Sequence, residues 1–161
     1  MGNSKAVDVL LVEDNPFDLQ LALRALKEQE LADNIHVAQD GEEALDFILR
    51  RGSFEGVALD VLPKVVLLDL KLPLVSGIEV LREIRANRRT RHLPVVAMTA
   101  SGNERDVQEC YTLGVNSYIQ KPLDFEKFRE AMRIIAAYWL TLNRGIAAGG
   151  DVSNGLDSSQ P

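Results

Sequence analysis

The stretch that most constrains the fold is VVLLDLKLPLVSG, residues 65–77. Its first four residues are aliphatic and lead directly into Asp69. A short, continuous apolar run is typical of a strand that is buried on both faces inside a parallel sheet. An ionised aspartate at the end of such a strand is costly to bury alone, so we expect a cation or a reaction there. Ligands of open parallel α/β sheets bind at the carboxyl ends of the strands, which places Asp69 at the centre of the candidate site.

The rest of the chain alternates strand patterns with helix patterns. We predict strands at residues 7–12, 35–38, 65–69, 95–98 ending at Thr99, and 117–120. Residues that favour helix caps follow the strands, and the predicted cap residues are Asn15, Asp40, Ser76 and Asp124. Asp18 falls in the first turn of the first predicted helix, where an acidic side chain is favourable. Five strands alternating with five helices predict a flavodoxin-like (βα)5 three-layer sandwich, an α/β fold whose parallel sheet has the order 2-1-3-4-5.

The fourth and fifth helices have clear ends in the sequence. The fourth spans about 103–113 and stops at Gly114, which favours a left-handed cap. The fifth continues to about Asn143. We therefore predict one domain over 1–143 and a flexible tail over 144–161, with residues 51–63 as an unusually long connection.

Composition excludes several classes of protein. The chain has 161 residues, of which 46% are apolar, as expected for one complete domain. The net charge of −6 argues against a nucleic-acid partner. No window approaches the roughly 18 to 20 apolar residues of a membrane helix, and the N-terminus lacks the pattern of a signal peptide, so we expect a cytoplasmic protein. With Cys110 as the single cysteine, no intramolecular disulfide can form, and burial as a small hydrophobe is its expected role.

Five reactive side chains fall at the predicted carboxyl ends of strands 1, 3, 4 and 5: Glu13, Asp14, Asp69, Thr99 and Lys121. In the predicted sheet order these four strands are neighbours, so the side chains converge. Three carboxylates repel one another unless a cation neutralises them, and hard oxygen ligands suit Mg²⁺. A lysine and a hydroxyl suit a bound phosphoryl group, and a carboxylate between them is a plausible nucleophile. These residues predict Mg²⁺-dependent phosphoryl transfer onto an aspartate.

The chain resembles the receiver domain of two-component response regulators (CheY-like) over about residues 6–142. The resemblance rests on an ordered set of motifs: the acidic pair Glu13-Asp14, VVLLDLKLP with Gly77 after it, MTA at 98–100, and KP at 121–122. Each motif alone is weak, but the ordered set is specific. The resemblance implies that the protein catalyses only its own phosphorylation and dephosphorylation.

Roles for the site residues follow from this resemblance. Asp69 is the implied phosphoacceptor, and Asp14 and Asp69 bind Mg²⁺ together with the backbone carbonyl of Lys71. Glu13 binds the metal through water or positions it. Thr99 donates a hydrogen bond to the phosphoryl group, and the Lys121 ammonium pairs with its charge.

The same resemblance implies a switch and a special peptide bond. Tyr118 stands at the position of an aromatic switch that moves inward with Thr99. The alternative for Tyr118 is an ordinary amphipathic strand residue with its hydroxyl in water. The Lys121–Pro122 bond is expected to be cis, which proline makes accessible.

Two further positions flank the phosphoryl site in this family, and here they are Lys71 and Ser101. A lysine is unusual at the first of them. We expect Lys71 to lie over the phosphoryl group and to hinder attack by water, so both residues are candidates for tuning the lifetime of the phosphorylated state.

The long 51–63 connection and the long last helix resemble the stand-alone regulators that partner cyanobacterial and bacterial phytochromes. The expected partner is therefore a sensor histidine kinase, possibly a bacteriophytochrome, with output through protein contacts. A homodimer through the face formed by helix 4, strand 5 and helix 5 is also expected.

Three other functions fit parts of the pattern. A receiver-like interaction module that is never phosphorylated has no use for a complete acidic pocket. An aspartyl-phosphate hydrolase of the haloacid dehalogenase kind needs a second acid two residues after the nucleophile, where this chain has Lys71. A flavin carrier needs a phosphate-binding loop after the first strand, where this chain has the acidic sequence EDNPFD.

Overall fold

The computed structural model describes residues 7–30, 34–56 and 62–146 of the chain. The strands are β1 (Val9–Val12), β2 (Ile35–Ala38), β3 (Val65–Leu68), β4 (Val95–Thr99) and β5 (Ser117–Gln120). The helices are α1 (Pro16–Glu28), α2 (Gly41–Leu49), α3 (Gly77–Ala86), α4 (Glu104–Leu113) and α5 (Phe125–Ala137). A 3₁₀ turn at Gly52–Phe54 follows α2, and a π-helical turn at Tyr138–Leu142 extends α5.

The five strands form one parallel sheet in the order β2-β1-β3-β4-β5. This confirms the predicted fold. The strands β1, β3 and β4 are buried along their whole length, which explains their continuous apolar sequences. The strands β2, β4 and β5 have the predicted bounds, whereas β1 begins two residues later and β3 ends one residue earlier than predicted. The chief consequence is that β3 ends at Leu68, so that Asp69 is the first residue beyond the strand.

Helices cover the sheet on both faces and give two separate hydrophobic layers. One layer joins the sheet to α2, α3 and α4 and includes Phe47, Leu81 and Cys110. The other joins the opposite face to α1 and α5 and includes Leu26 and Met132. Burial of Cys110 agrees with its predicted role as a small core residue.

Side-chain caps fix where the helices begin. The side-chain oxygen Oδ1 of Asn15 accepts hydrogen bonds from the backbone amides of Phe17 and Asp18, at 2.9 and 3.1 Å. Asp40, Ser76 and Asp124 cap the starts of α2, α3 and α5 in the same way. Helices α1, α2 and α5 begin three to five residues after the strands that precede them, and the Gly77 amide at the start of α3 donates to the Leu70 carbonyl. The caps therefore also hold the loops at the carboxyl edge of the sheet.

The Lys121–Pro122 peptide bond is trans, so the predicted cis bond is wrong. The residue type could not decide this, because the trans form of a bond before proline is favoured by only about 0.5–1 kcal/mol. With the trans bond, the Lys121 side chain still reaches the carboxylates at the sheet edge.

Two predicted segments fall partly outside the described residues. Of the 51–63 connection, residues 57–61 are outside them, and of the 144–161 tail, residues 147–161 are outside them. Within the three described ranges, no helix is long and apolar enough to cross a membrane.

His36 on β2 gives the stability a pH dependence with a definite sign. Its ring stacks on Phe47 with centroids 4.0 Å apart, and its buried Nε2 has no hydrogen-bond partner among the described residues. Burial lowers the pKa of His36, Glu43 opposes this shift, and Arg50 adds to it. The unfolded chain therefore binds a proton more readily than the folded protein.

We expect the contribution of His36 to the free energy of unfolding to fall as the pH drops below about 6.5, the ordinary histidine pKa. Above that pH, His36 is neutral in both the folded and the unfolded state, so it does not make the free energy of unfolding depend on pH. Urea titrations between pH 7.5 and 5.5 measure the effect. As the pH falls, the free energy of unfolding of the His36→Phe variant should rise relative to that of wild type, whereas the difference between wild type and the His92→Phe variant, which changes an exposed histidine, should stay constant. Equal slopes for all three proteins would contradict the prediction.

Candidate functional site

Three predicted site residues come directly after strands, at one edge of the sheet. Glu13 follows β1, Asp69 follows β3 and Lys121 follows β5. The amide of Asp69 donates to the Val12 carbonyl at 3.1 Å, and the amide of Lys121 donates to the Thr99 carbonyl at 2.7 Å. Backbone hydrogen bonds therefore hold these residues in place one step beyond the strands.

The Lys121 ammonium is the centre of the site. Its Nζ donates to Glu13 Oε2 at 2.7 Å, to Asp69 Oδ2 at 2.9 Å and to Asp18 Oδ2 at 3.0 Å. The lysine side chain is only 12% exposed. An ammonium group has three donors, so each one serves a different carboxylate.

For both Glu13 and Lys121, burial and the opposite charge of the partner shift the pKa in opposite directions. Burial raises the pKa of Glu13 to about 7, the hydrogen bond from Lys121 opposes the shift, and the nearby Asp69 charge adds to it. Burial alone would lower the pKa of Lys121, but its hydrogen bonds to Glu13 and Asp69 outweigh burial and raise it. The lysine is therefore a permanent cation at neutral pH.

Asp18 belongs to this site, and sequence reasoning missed that. We expected it only to favour the first turn of α1, but its carboxylate contacts Lys121. The spacing could have indicated this. Asp14 and Asp18 are four residues apart across the start of a helix, so Asp18 lies near the same helix end as Asp14, a predicted site residue.

A tight loop fixes the position of Asp69. Its Oδ1 accepts a hydrogen bond from the Lys71 amide at 3.2 Å, and the Gly77 amide donates to the Leu70 carbonyl at 2.9 Å. The start of α3 thus lies directly against the backbone that follows β3. One carboxylate oxygen of Asp69 is held by the loop and the other by Lys121.

Glu13, Asp14 and Asp69 form a group suited to a divalent cation. Each offers a carboxylate oxygen, and these oxygens lie within 4.8 Å of one another. Asp14 is exposed, whereas the other two are buried, which leaves one side open to solvent. Several oxygen ligands with an open side fit a small hard cation that keeps some of its water.

Thr99, Ser101 and Tyr118 lie along one chain of hydrogen bonds. Thr99 is fully buried, and its Oγ1 accepts from the Ser101 amide at 3.4 Å. The Tyr118 hydroxyl donates to the Ser101 carbonyl at 2.9 Å instead of facing water. Burial raises the pKa of Tyr118, so the phenol stays protonated and remains a donor. A movement of Thr99 can therefore reach Tyr118 through a single residue.

Comparison with known proteins decides the family. The model of the response regulator receiver domain matches residues 9–133. The chain belongs to the response regulator receiver family. Receivers of this family carry the five-stranded fold described above, and the predicted resemblance is confirmed.

Curated relatives and solved structures match most of this chain. The probable methanogenesis regulatory protein FilR2 of Methanothrix harundinacea is 41% identical over 84% of this chain and 85% of its own length. Response regulator Rcp1 of Synechocystis is 36% identical over 82% and 88%, and its Mn²⁺-bound crystal structure superposes with a TM-score of 0.80. The phosphorylated cyanobacterial phytochrome response regulator RcpA is 31% identical over 88% of this chain and 99% of its own, with a TM-score of 0.81.

Proposed function

We propose that this protein is a cytoplasmic response regulator that accepts a phosphoryl group on Asp69 from a sensor histidine kinase. The observation that carries the proposal is the contact between the Lys121 ammonium and Asp69 beside the acidic cluster of Glu13 and Asp14. A nucleophilic carboxylate, a fixed cation and a cation-binding cluster are the parts that phosphoryl transfer requires.

The transfer itself needs little from the protein beyond position and charge. An oxygen of Asp69 attacks the phosphorus of the phosphohistidine, the new P–O bond forms, and the P–N bond breaks with its electron pair leaving on the imidazole. Lys121 then moves from its carboxylate partners toward the phosphoryl oxygens, which carry more charge. Thr99, at the end of the neighbouring strand β4, supplies a hydroxyl donor on the other side.

The metal in this proposal is Mg²⁺, held by Glu13, Asp14 and Asp69, with the backbone carbonyl of Lys71 as a further ligand. When bound, it neutralises charge on the transferred group and on the carboxylates. The carboxylate oxygens support it by their spacing, and the existence of a Mn²⁺-bound form of the similar regulator Rcp1 supports a divalent ion in this chain.

A phytochrome is the kinase we favour. The support is that RcpA, which matches 88% of this chain, is a cyanobacterial phytochrome response regulator. We further propose that phosphorylation draws Thr99 toward the phosphoryl group and moves Tyr118 with it, through the hydrogen bonds at Ser101. These movements would then change the surface formed by α4, β5 and α5.

Intact-mass measurement with acetyl phosphate tests the proposal. Wild-type protein with Mg²⁺ should gain one phosphate, about 80 Da, and the Asp69→Asn variant should gain none. The same wild-type sample without divalent ions should also gain none. Failure of wild-type protein to gain phosphate in the presence of Mg²⁺ would favour an interaction module that is never phosphorylated.

Lys71 offers a way to tune the lifetime of the phosphorylated state. Its side chain is exposed, and its backbone touches Asp69, so the side chain can cover the phosphoryl group. We expect the Lys71→Asn variant to lose its phosphate roughly three to ten times faster than wild type, the acceleration expected when one interaction that hinders the attack of water is removed. Decay of the phosphorylated mass over time measures it. An unchanged decay rate would contradict a shielding role.

We also propose that the receiver domain, residues 1–143, forms homodimers through the face of α4, β5 and α5. Large side chains on α4, on α5 and on the turn that extends α5 are about half exposed, namely Tyr111, Ile134 and Tyr138, and exposed apolar side chains favour association when they form a patch. Sizing columns run with and without phosphate test this. The Ile134→Lys variant should remain monomeric in both states, and a dimer that persists in this variant would place the interface elsewhere.

A further inference from the structure

The Ser101 hydroxyl makes two hydrogen bonds that point it toward α4. Its proton is donated to Asp106 Oδ2 at 2.7 Å, and its oxygen accepts from the Asn103 amide at 3.3 Å. A serine hydroxyl has only one proton, so this hydroxyl has none left to donate. Ser101 is also the residue whose amide contacts Thr99 and whose carbonyl contacts Tyr118.

Asp106 is the stronger of these two partners. It lies in the first turn of α4, and a hydroxyl donating to a carboxylate at 2.7 Å is a charge-assisted bond, stronger than a neutral one. Both side chains are half-buried, which reduces competition from water. The bond therefore ties the loop after β4 to α4 and holds the rotamer of Ser101.

We propose that Asp106 is a positioning residue that keeps the Ser101 hydroxyl engaged and thereby prolongs the phosphorylated state. This inference rests on the proposed phosphorylation of Asp69. Loss of the phosphate requires a water whose oxygen forms a bond to phosphorus while the bond to the Asp69 oxygen breaks. The carboxylate leaves with the electron pair, and inorganic phosphate keeps the proton of the water.

Ser101 follows the buried Thr99, whose hydroxyl contacts its amide, at the edge of the sheet where Asp69 also lies. A free Ser101 hydroxyl at this edge would accelerate the reaction. Once released from Asp106, the Ser101 hydroxyl can accept from the attacking water or donate to a phosphoryl oxygen, and either bond favours the transition state. While its proton is held by Asp106, the hydroxyl does neither. The carboxylate thus acts on hydrolysis only through Ser101, and this separates its role from a general effect on α4.

Decay of phosphate from protein labelled with acetyl phosphate, followed by intact mass after removal of the donor, tests the proposal. We expect the Asp106→Ala variant to lose phosphate about three to ten times faster than wild type, the effect of one hydrogen bond gained at a transition state. The Asp106→Asn variant keeps an acceptor oxygen and should lie closer to wild type. In the Ser101→Ala background, Asp106→Ala should have no effect.

A matched control removes another acid from the same turn. Glu104 is exposed at the start of α4, and the Glu104→Ala variant should decay as wild type does. Urea titration of each variant shows whether the fold is intact. Equal acceleration by Asp106→Ala with and without Ser101, or no acceleration in a folded protein, would overturn this inference alone. Absence of any label on wild-type protein would overturn the proposed function and this inference together.

Discussion

Replacement of Lys121 by methionine is expected to remove most phosphoryl uptake and to destabilise the metal-free protein. The ammonium contacts Glu13, Asp69 and Asp18 within 3.0 Å, and methionine keeps much of the side-chain volume without the charge. Removal of one partner from a buried ion pair costs about 3–5 kcal/mol. We expect the lower end of this range, because Glu13, whose pKa is already about 7, can take up a proton. Loss of charge stabilisation at the transition state should slow labelling about a hundredfold or more.

Two measurements on Lys121→Met separate stability from chemistry. Urea titration in the presence of a chelator gives the free energy of unfolding, and added Mg²⁺ should restore part of it because the metal neutralises the same carboxylates. The rate of labelling by acetyl phosphate gives the chemical effect. The Lys127→Met variant loses an exposed lysine of α5 and should behave as wild type in both. If Lys121→Met had the stability and the labelling rate of wild type, the three contacts would contribute to neither stability nor phosphoryl transfer.

The fold could be predicted because local signals agreed with one another. Continuous apolar runs marked the strands that are buried on both faces, and side-chain caps marked the helix starts that follow them. Once the sheet order was inferred, the positions of Glu13, Asp69 and Lys121 at one edge followed from the parallel arrangement alone. The structure confirms that these three side chains meet.

What escaped prediction depends on side-chain direction and on small energy differences. Asp18 was assigned to the helix dipole, because the sequence does not show that Lys121 extends back over α1 to reach it. The isomer of the Lys121–Pro122 bond turns on an energy difference too small to be predicted from residue type. The bond between Ser101 and Asp106 joins a loop to a helix, and no periodic pattern indicates such a contact.

Replacement of Gly77 by alanine is expected to destabilise the fold and to impair phosphorylation, although helix propensity predicts the opposite sign. Alanine favours a helix by about 1 kcal/mol over glycine. A Cβ at Gly77, however, would stand 2.2 Å from the Asp69 carbonyl oxygen and 2.6 Å from the Leu70 Cα. Both are backbone atoms that cannot rotate away, so either α3 or the loop carrying Asp69 must shift. Such overpacking costs about 1–3 kcal/mol.

The displacement would move Asp69, the proposed nucleophile, so we expect the labelling rate to be affected more strongly than the stability. A shift of about 1 Å in a reacting group can cost a factor of about 100 in rate, and we expect labelling of Gly77→Ala by acetyl phosphate to slow by at least tenfold. Gly102 provides the control, because the three atoms nearest to a Cβ there all belong to the end of the flexible Gln120 side chain. Gly102→Ala should label and unfold much as wild type does. If Gly77→Ala is instead more stable than wild type and labels normally, the contact between α3 and the Asp69 backbone does not constrain the site.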